Sequence, residues 1–194
     1  MKKLVIKTSL ITLASVVCAL IIAFGSVALF APGVVGGLFD GVGNYSVTVF
    51  FYEKQYQKTG DIDDLNRLVS KINIVKDSGR AETYYSKIIT HKDFVAFCGN
   101  IDGAGRKLSA KDYYYACYSL SLAENGKIDK AIDFAKDYVQ ENGYTENNPF
   151  RTIVYDYAHK ATDVELNKLN EQINALNQSG EFILQDINYL NGFN

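Results

Sequence analysis

The chain has 194 residues, with 20 Lys and Arg against 22 Asp and Glu and a formal net charge of −2. Without Lys2, Lys3 and Lys7 the basic count falls to 17 against 22, a balance of −5. That balance excludes a clustered basic face for nucleic acid and electrostatic adhesion to an anionic membrane surface. Two prolines and 14 tyrosines with no tryptophan describe a chain that can fold, with aromatic packing supplied by Tyr and Phe.

From Thr8 to Phe39 no residue is charged. Leu10 to Phe30 alone supplies the roughly 20 apolar residues that cross about 30 Å of hydrocarbon. The competing reading is a cleaved signal peptide, whose apolar core runs about 7–15 residues. Leu10 to Phe24 already reaches that limit and the run continues past Gly25. Residues 1–31 are therefore read as a cytoplasmic stub and transmembrane anchor, with residues 8–31 in contact with the membrane. The small residues Ser26 and Ala28 suit a cleavage site, and cleavage would give a secreted domain instead. Cys18 follows Val17, too bulky for a lipoprotein site, and is read as an ordinary apolar membrane residue. Three lysines precede the run and the first charge after it is Asp40. The positive-inside tendency then keeps the N-terminus cytoplasmic and places the C-terminal domain outside the cytoplasm, in a single-pass protein.

Residues 32–147 read as helical hairpins. Pro32 to Val42 is a glycine-rich first helix, and Gly43 introduces a second over Asn44 to Lys54. Leu65, Leu68, Val69 and Ile72 then fall at i, i+3, i+4, i+7, one face of a helix, with Arg80 to Lys87 as its partner. Asp61, Asp63 and Asp64 cap that helix and favour its dipole. They lack the sixth-position Gly and closing Glu of a calcium loop. His91 to Lys107 is an insertion. Gly99 to Ser109 within and after it is read as a surface loop, because Arg106 separates glycine from lysine and no apolar strand precedes it, as a phosphate loop would require. Tyr115, Tyr118, Ser119 and Leu122 repeat the helical face. Gly126 turns the chain, and Ile128, Ala131, Ile132, Ala135, Tyr138 and Val139 form the answering face. Ser109 caps the first of these helices and Gly143 ends the second.

Two helices per unit and a period near 33–34 residues mark a helical solenoid. At this point the chain resembles the tetratricopeptide repeat family. The best unit is 112–145, with Tyr115, Tyr118 and Ser119 at the family's fourth, seventh and eighth positions and Gly126, Ala131 and Ala135 near its turn and packing positions. A second unit, 62–95, carries Leu65, Leu68, Ala81 and the Tyr84-Tyr85-Ser86-Lys87 run. A partial unit at about 29–61 carries Gly43, Tyr45 and Tyr52-Glu53-Lys54. Val69 departs from the small residue the family prefers, Gly143 replaces the closing proline, and the insertion 91–107 breaks the period. The resemblance implies an all-α superhelix with a concave groove lined by Asp63, Asn66, Ser70 and Asn73 from one first helix. Tyr113, Ala116, Leu120 and Ala123 would line it from the other. Such a groove holds an extended peptide, although a polar stripe opposite an apolar one is also what any amphipathic helix shows.

Residues 148–194 read as C-terminal helices. Phe150 to Thr162 makes one, and Asp163 caps a longer one. Leu166, Leu169, Ile173, Leu176, Ile183, Ile187 and Leu190 keep three- and four-residue steps along it, a seam interrupted at Gly180. One reading is a cap packed on the last repeat, as solenoids require. The other is a coiled coil, giving a homo-oligomer through 164–190. Cys98 and Cys117 could close one disulfide in an exported domain or stay as buried thiols. His91 and His159 have no metal-ligand spacing and are read as surface or loop residues. Asn44 and Asn177 head glycosylation-type triplets, which arise by chance in an Asn-rich chain.

No nucleophile–base pair, metal set or cofactor motif can be nominated. The expectation is a non-enzymatic, membrane-tethered scaffold that binds a protein or peptide outside the cytoplasm. The alternative is an accessory subunit assembled through its last helix.

Overall fold

A computed structural model describes residues 2–103, 109–143 and 148–178, with side chains from residue 11 to residue 175. Among the described residues every regular element is helical. The chain divides into two compact units, 1–75 and 76–194.

The first unit begins with α1 (Lys2–Phe30), an apolar helix of 29 residues. Its hydroxyls bond inside the helix, Ser15 Oγ donating to the Ile11 carbonyl at 2.9 Å and Ser26 Oγ to that of Ile22 at 2.8 Å. Pro32 stops α1, since it brings no N–H and clashes with the preceding turn. The same fixed φ suits Pro32 to the start of α2 (Pro32–Gly41). Gly43, at φ +75°, turns the chain into α3 (Tyr45–Thr59), where Asn44 Oδ1 accepts from the Val47 N–H. Gly60, at φ +63°, ends α3. Asp61 Oδ1 then accepts from the N–H groups of Asp63 and Asp64 to open α4 (Ile62–Val75). The capping role expected for this acidic cluster is therefore present.

Within this unit α2 packs on α3 and α3 on α4. The predicted face of α4, Leu65, Leu68, Val69 and Ile72, is buried, as are Val35 and Val49. Small residues let α2 and α3 approach. A Cβ placed on Gly36 would lie 2.6 Å from Tyr52 Cδ1.

The second unit contains α5 (Ser78–Ile89), α6 (Phe94–Asp102), α7 (Ala110–Glu124), α8 (Ile128–Asn142), α9 (Pro149–Thr152) with a π-helical turn (Ile153–Tyr157) after it, and α10 (Asp163–Gln178). Its centre is α7, which packs against α5, α6, α8, α9 and the π turn. Ser109 caps it by accepting from the Asp112 N–H, and Gly126 at φ +74° turns it into α8. Between the two helices Ser119, Ala123, Ala131 and Ala135 are fully buried, and Ser119 Oγ donates to the Ala131 carbonyl at 3.1 Å. Close contact between backbones is what these small side chains permit.

The segment 62–95 supplies α4 to one unit and α5 to the other, because the division falls between Val75 and Lys76. Two expectations are corrected. The insertion is partly helical: Gly99–Asp102, read as loop, belongs to α6. Phe94, Phe97 and Cys98 fall at i, i+3, i+4 and are buried, with Phe94 and Phe97 against Tyr114, and that burial outweighs the low helix propensity of Gly99. Asp102 Oδ1 also accepts from the Ala110 N–H at 2.7 Å, which ties α6 to the start of α7. The helix expected from Phe150 to Thr162 stops near Tyr157, whose carbonyl accepts from both Lys160 and Ala161 N–H. Residues 104–108 lie outside the described residues, as do the seam positions Ile183, Ile187 and Leu190; the side chains of Leu176 and Asn177 lie outside them too.

On α10, Leu169 and Ile173 are buried in the chain's own core with Phe150, Ile153 and Val154. Lys168 Nζ donates to Asp129 Oδ2 at 2.8 Å, which fastens α10 to α8. This described part of the seam is occupied within one chain.

Candidate functional site

Two surfaces of the first unit stand out. The first is α1 itself. Ile11–Phe30 has a mean hydropathy of 2.6 and none of it is buried, so the helix is long and apolar enough to span a membrane or to serve as a signal sequence. An exposed surface this apolar and this continuous is out of place in water. The end of α1 is tied to the hairpin after it, with Lys58 Nζ donating to the Phe30 carbonyl at 2.6 Å. A cation at a helix C-terminus also complements the helix dipole.

The second surface is the outer side of α4. Asp63, Ser70 and Asn73 are exposed and Asn66 is half-buried, opposite the buried Leu65, Leu68 and Ile72. A polar relay braces the base of this helix. Gln55 Oε1 accepts from the Gly33 N–H at 3.1 Å, and Gln55 Nε2 donates to Asp64 Oδ2 at 3.1 Å. Thr59 Oγ1 donates to the same carboxylate oxygen at 2.8 Å. Lys71 pairs with Asp40 at 2.7 Å and lies over the Tyr45 ring, holding α2 to α4.

The residues expected on α7 have different surroundings. Tyr113 is exposed, while Leu120 is half-buried against the core. Ala116 and Ala123, also placed in the groove by the family pattern, are buried. The reason is that α7 is covered on several sides. The sequence carried a signal for this, since no charged residue stands between Asp112 and Glu124, and a helix apolar all round is a buried one.

Aromatic side chains fill the space around α7. Tyr115 stacks on Phe134 at 5.5 Å and meets Tyr138 at 4.6 Å, and Tyr118 meets Phe134 edge-on at 4.8 Å. Tyr138 donates its hydroxyl proton to the buried Asp112 carboxylate. Burial, then this carboxylate, pushes the Tyr138 phenol well above its ordinary value. Burial raises Tyr85 and Tyr157 in the same direction, and pushes the Cys98 thiol up to about 11. Cys98 and Cys117 are free thiols. His91, expected at the surface or in a loop, sits in the turn before α6 with its side chain 11% exposed, and its Nδ1 accepts from the Asp93 N–H.

A folded phenol with a raised pKa contributes stability that is complete below pH 10 and is lost as pH rises above it. We expect the second unit to unfold cooperatively in alkali. The tyrosinate absorbance of Tyr85, Tyr138 and Tyr157 should appear together with the loss of helical circular dichroism. Smooth titration of all tyrosines near pH 10 with the helices intact would contradict this burial.

Among the described residues no three His, Cys, Asp or Glu side chains gather as a metal site. No protein-family model matches the chain, and neither a curated protein nor a solved structure matches it.

Proposed function

We propose that this protein is a membrane-tethered helical scaffold of tetratricopeptide-like hairpins, which binds a protein partner outside the cytoplasm and carries out no chemistry of its own. The observation that carries the reading is α1, whose apolar span Ile11–Phe30 has no buried residue and is joined through Ala31 alone to a packed helical hairpin. The lysines before α1 support a cytoplasmic N-terminus. The repeat reading draws on the α2–α3 and α7–α8 hairpins, each turned by a left-handed glycine. The polar side of α4 is the binding surface, and Asp63, Asn66, Ser70 and Asn73 are its contacts, with Tyr113 and Leu120 of α7 as further candidates.

A photo-crosslinking amino acid at Ser70 or Asn73 of the full chain, in membranes of its own host, tests the surface. A discrete adduct of defined mass is expected there, and none from Thr83 on α5. Adducts equally absent from Ser70, Asn73 and Thr83 would remove the binding role from α4. A Gly/Ser spacer inserted after Ala31 tests the tether. It should break the Lys58 bond to the Phe30 carbonyl and reduce the Ser70 adduct while membrane localisation persists. An unchanged adduct would mean that α1 acts only as an address.

A further inference from the structure

The helix that follows the anchor has an outer face that no part of its unit covers. Val34 and Leu38 of α2 and Val42, the residue that caps its C-terminus, recur at four-residue steps and are 59%, 63% and 77% exposed. Gly37 and Gly41 lie beside them, with open space where a Cβ would stand. The single charged residue of α2, Asp40, is spent inward on Lys71 of α4. What remains outward is an uncharged apolar strip on a helix of 10 residues, about 15 Å long.

The position of this strip identifies its occupant. Only Ala31 separates the last residue of the apolar span, Phe30, from α2, and Leu29 and Phe30 are themselves 71% and 70% exposed. An apolar surface that continues without a charged residue from a bilayer-spanning helix onto the next one is continuous in its solvent as well. We infer that α2 lies in the membrane interface, with Val34, Leu38 and Val42 pressed into the boundary between headgroups and acyl chains. The inference rests on the reading of α1 as a retained anchor. Because the strip has no cation, its insertion depends on apolar contact and not on anionic lipid, unlike a basic interfacial helix. The hairpin then stands on the bilayer through two elements, and α3 and α4 are held at a fixed height above it.

The absence of tryptophan from the chain makes the test direct. The full-length variants Leu38→Trp and Val42→Trp each carry one tryptophan, as does Leu20→Trp in α1 and Gln57→Trp on the exposed side of α3. Each is reconstituted in phosphatidylcholine vesicles whose lipids are brominated either near the glycerol or near the chain end. An interfacial helix buries its apolar face about 5–10 Å deep, so shallow bromines should quench Leu38→Trp and Val42→Trp about twofold, and Gln57→Trp not at all. Deep bromines should quench Leu20→Trp. Adding phosphatidylglycerol should leave the quenching unchanged. If Leu20→Trp is quenched and both α2 variants are not, the interfacial position of α2 is wrong while the anchor stands. If Leu20→Trp is also unquenched, the anchor itself fails. Blue-shifted but unquenched emission from both α2 variants would assign the strip to a protein neighbour and overturn the inference.

Discussion

Leu169→Asp is expected to unfold the C-terminal part of the second unit, and not merely to dissociate an oligomer. Leu169 is fully buried beside Ile173, Phe150 and Ile153 in the core that also takes Leu122 of α7 and Ile132 of α8. Truncation alone, as Leu169→Ala, should cost about 2–5 kcal/mol through lost burial and the cavity left behind. An aspartate adds a charge among the apolar side chains of this core, and stranding a buried charge costs about 3–5 kcal/mol. Against a typical domain stability of about 5–15 kcal/mol, the sum removes most of what holds this unit together. Chemical denaturation of the full chain in detergent, followed by helical circular dichroism, should show the midpoint falling sharply for Leu169→Asp and less for Leu169→Ala. A solvent-facing coiled-coil seam predicts the opposite result: an unchanged unfolding midpoint with a smaller sedimentation coefficient. That outcome would place Leu169 on an intermolecular surface and discard the packing of α10 on α8.

The same residue shows where the sequence was legible and where it stopped. The heptad steps of Leu166, Leu169 and Ile173 announced a helix with one apolar face, and α10 has that face buried. Periodicity locates an apolar stripe but does not say whether the covering partner is the same chain or another. The caps were legible for a stronger reason, since Ser109, Asp61, Gly126 and Gly143 act through their own local geometry and need no knowledge of the fold. Tertiary burial was the opposite case. Gly99 to Asp102 read as loop, yet Phe94 and Phe97 pull Phe94–Asp102 into a helix against Tyr114. On α7 the pattern drew attention to the face of Tyr115 and Leu122, while Tyr114, Ala116 and Ala123 are buried on other sides. The candidate site divides along the same line. The outer side of α4 followed directly from amphipathic spacing, whereas the surroundings of Ala116 and Leu120 depend on which helices happen to cover α7.

Neighbouring glycines of α2 should respond to the same substitution with opposite signs. In a helix, alanine is favoured over glycine by about 0.8–1 kcal/mol, so propensity alone would make both changes stabilising. Gly37 faces open space, and Gly37→Ala should show that gain. At Gly36 a Cβ would stand 2.6 and 2.7 Å from Tyr52 Cδ1 and Cε1 and 3.3 Å from Phe51 Cβ, and Tyr52 is itself buried. The ring cannot swing away without opening the α2–α3 contact. Overpacking of this kind costs about 1–3 kcal/mol, which outweighs the propensity gain and makes Gly36→Ala destabilising. Combining it with Tyr52→Ala should reverse the sign, because the alanine then enters space the ring has vacated; the double-mutant cycle isolates that coupling. Hydrogen exchange of α2 and α3 amides in the full chain reads both effects locally, faster for Gly36→Ala and slower for Gly37→Ala. Slower exchange for Gly36→Ala in the wild-type background would mean that the two helices are not in contact at this point. The contact matters beyond stability. It fixes the rotation of α2 about its own axis, and that rotation is what turns Val34, Leu38 and Val42 outward while Asp40 reaches Lys71.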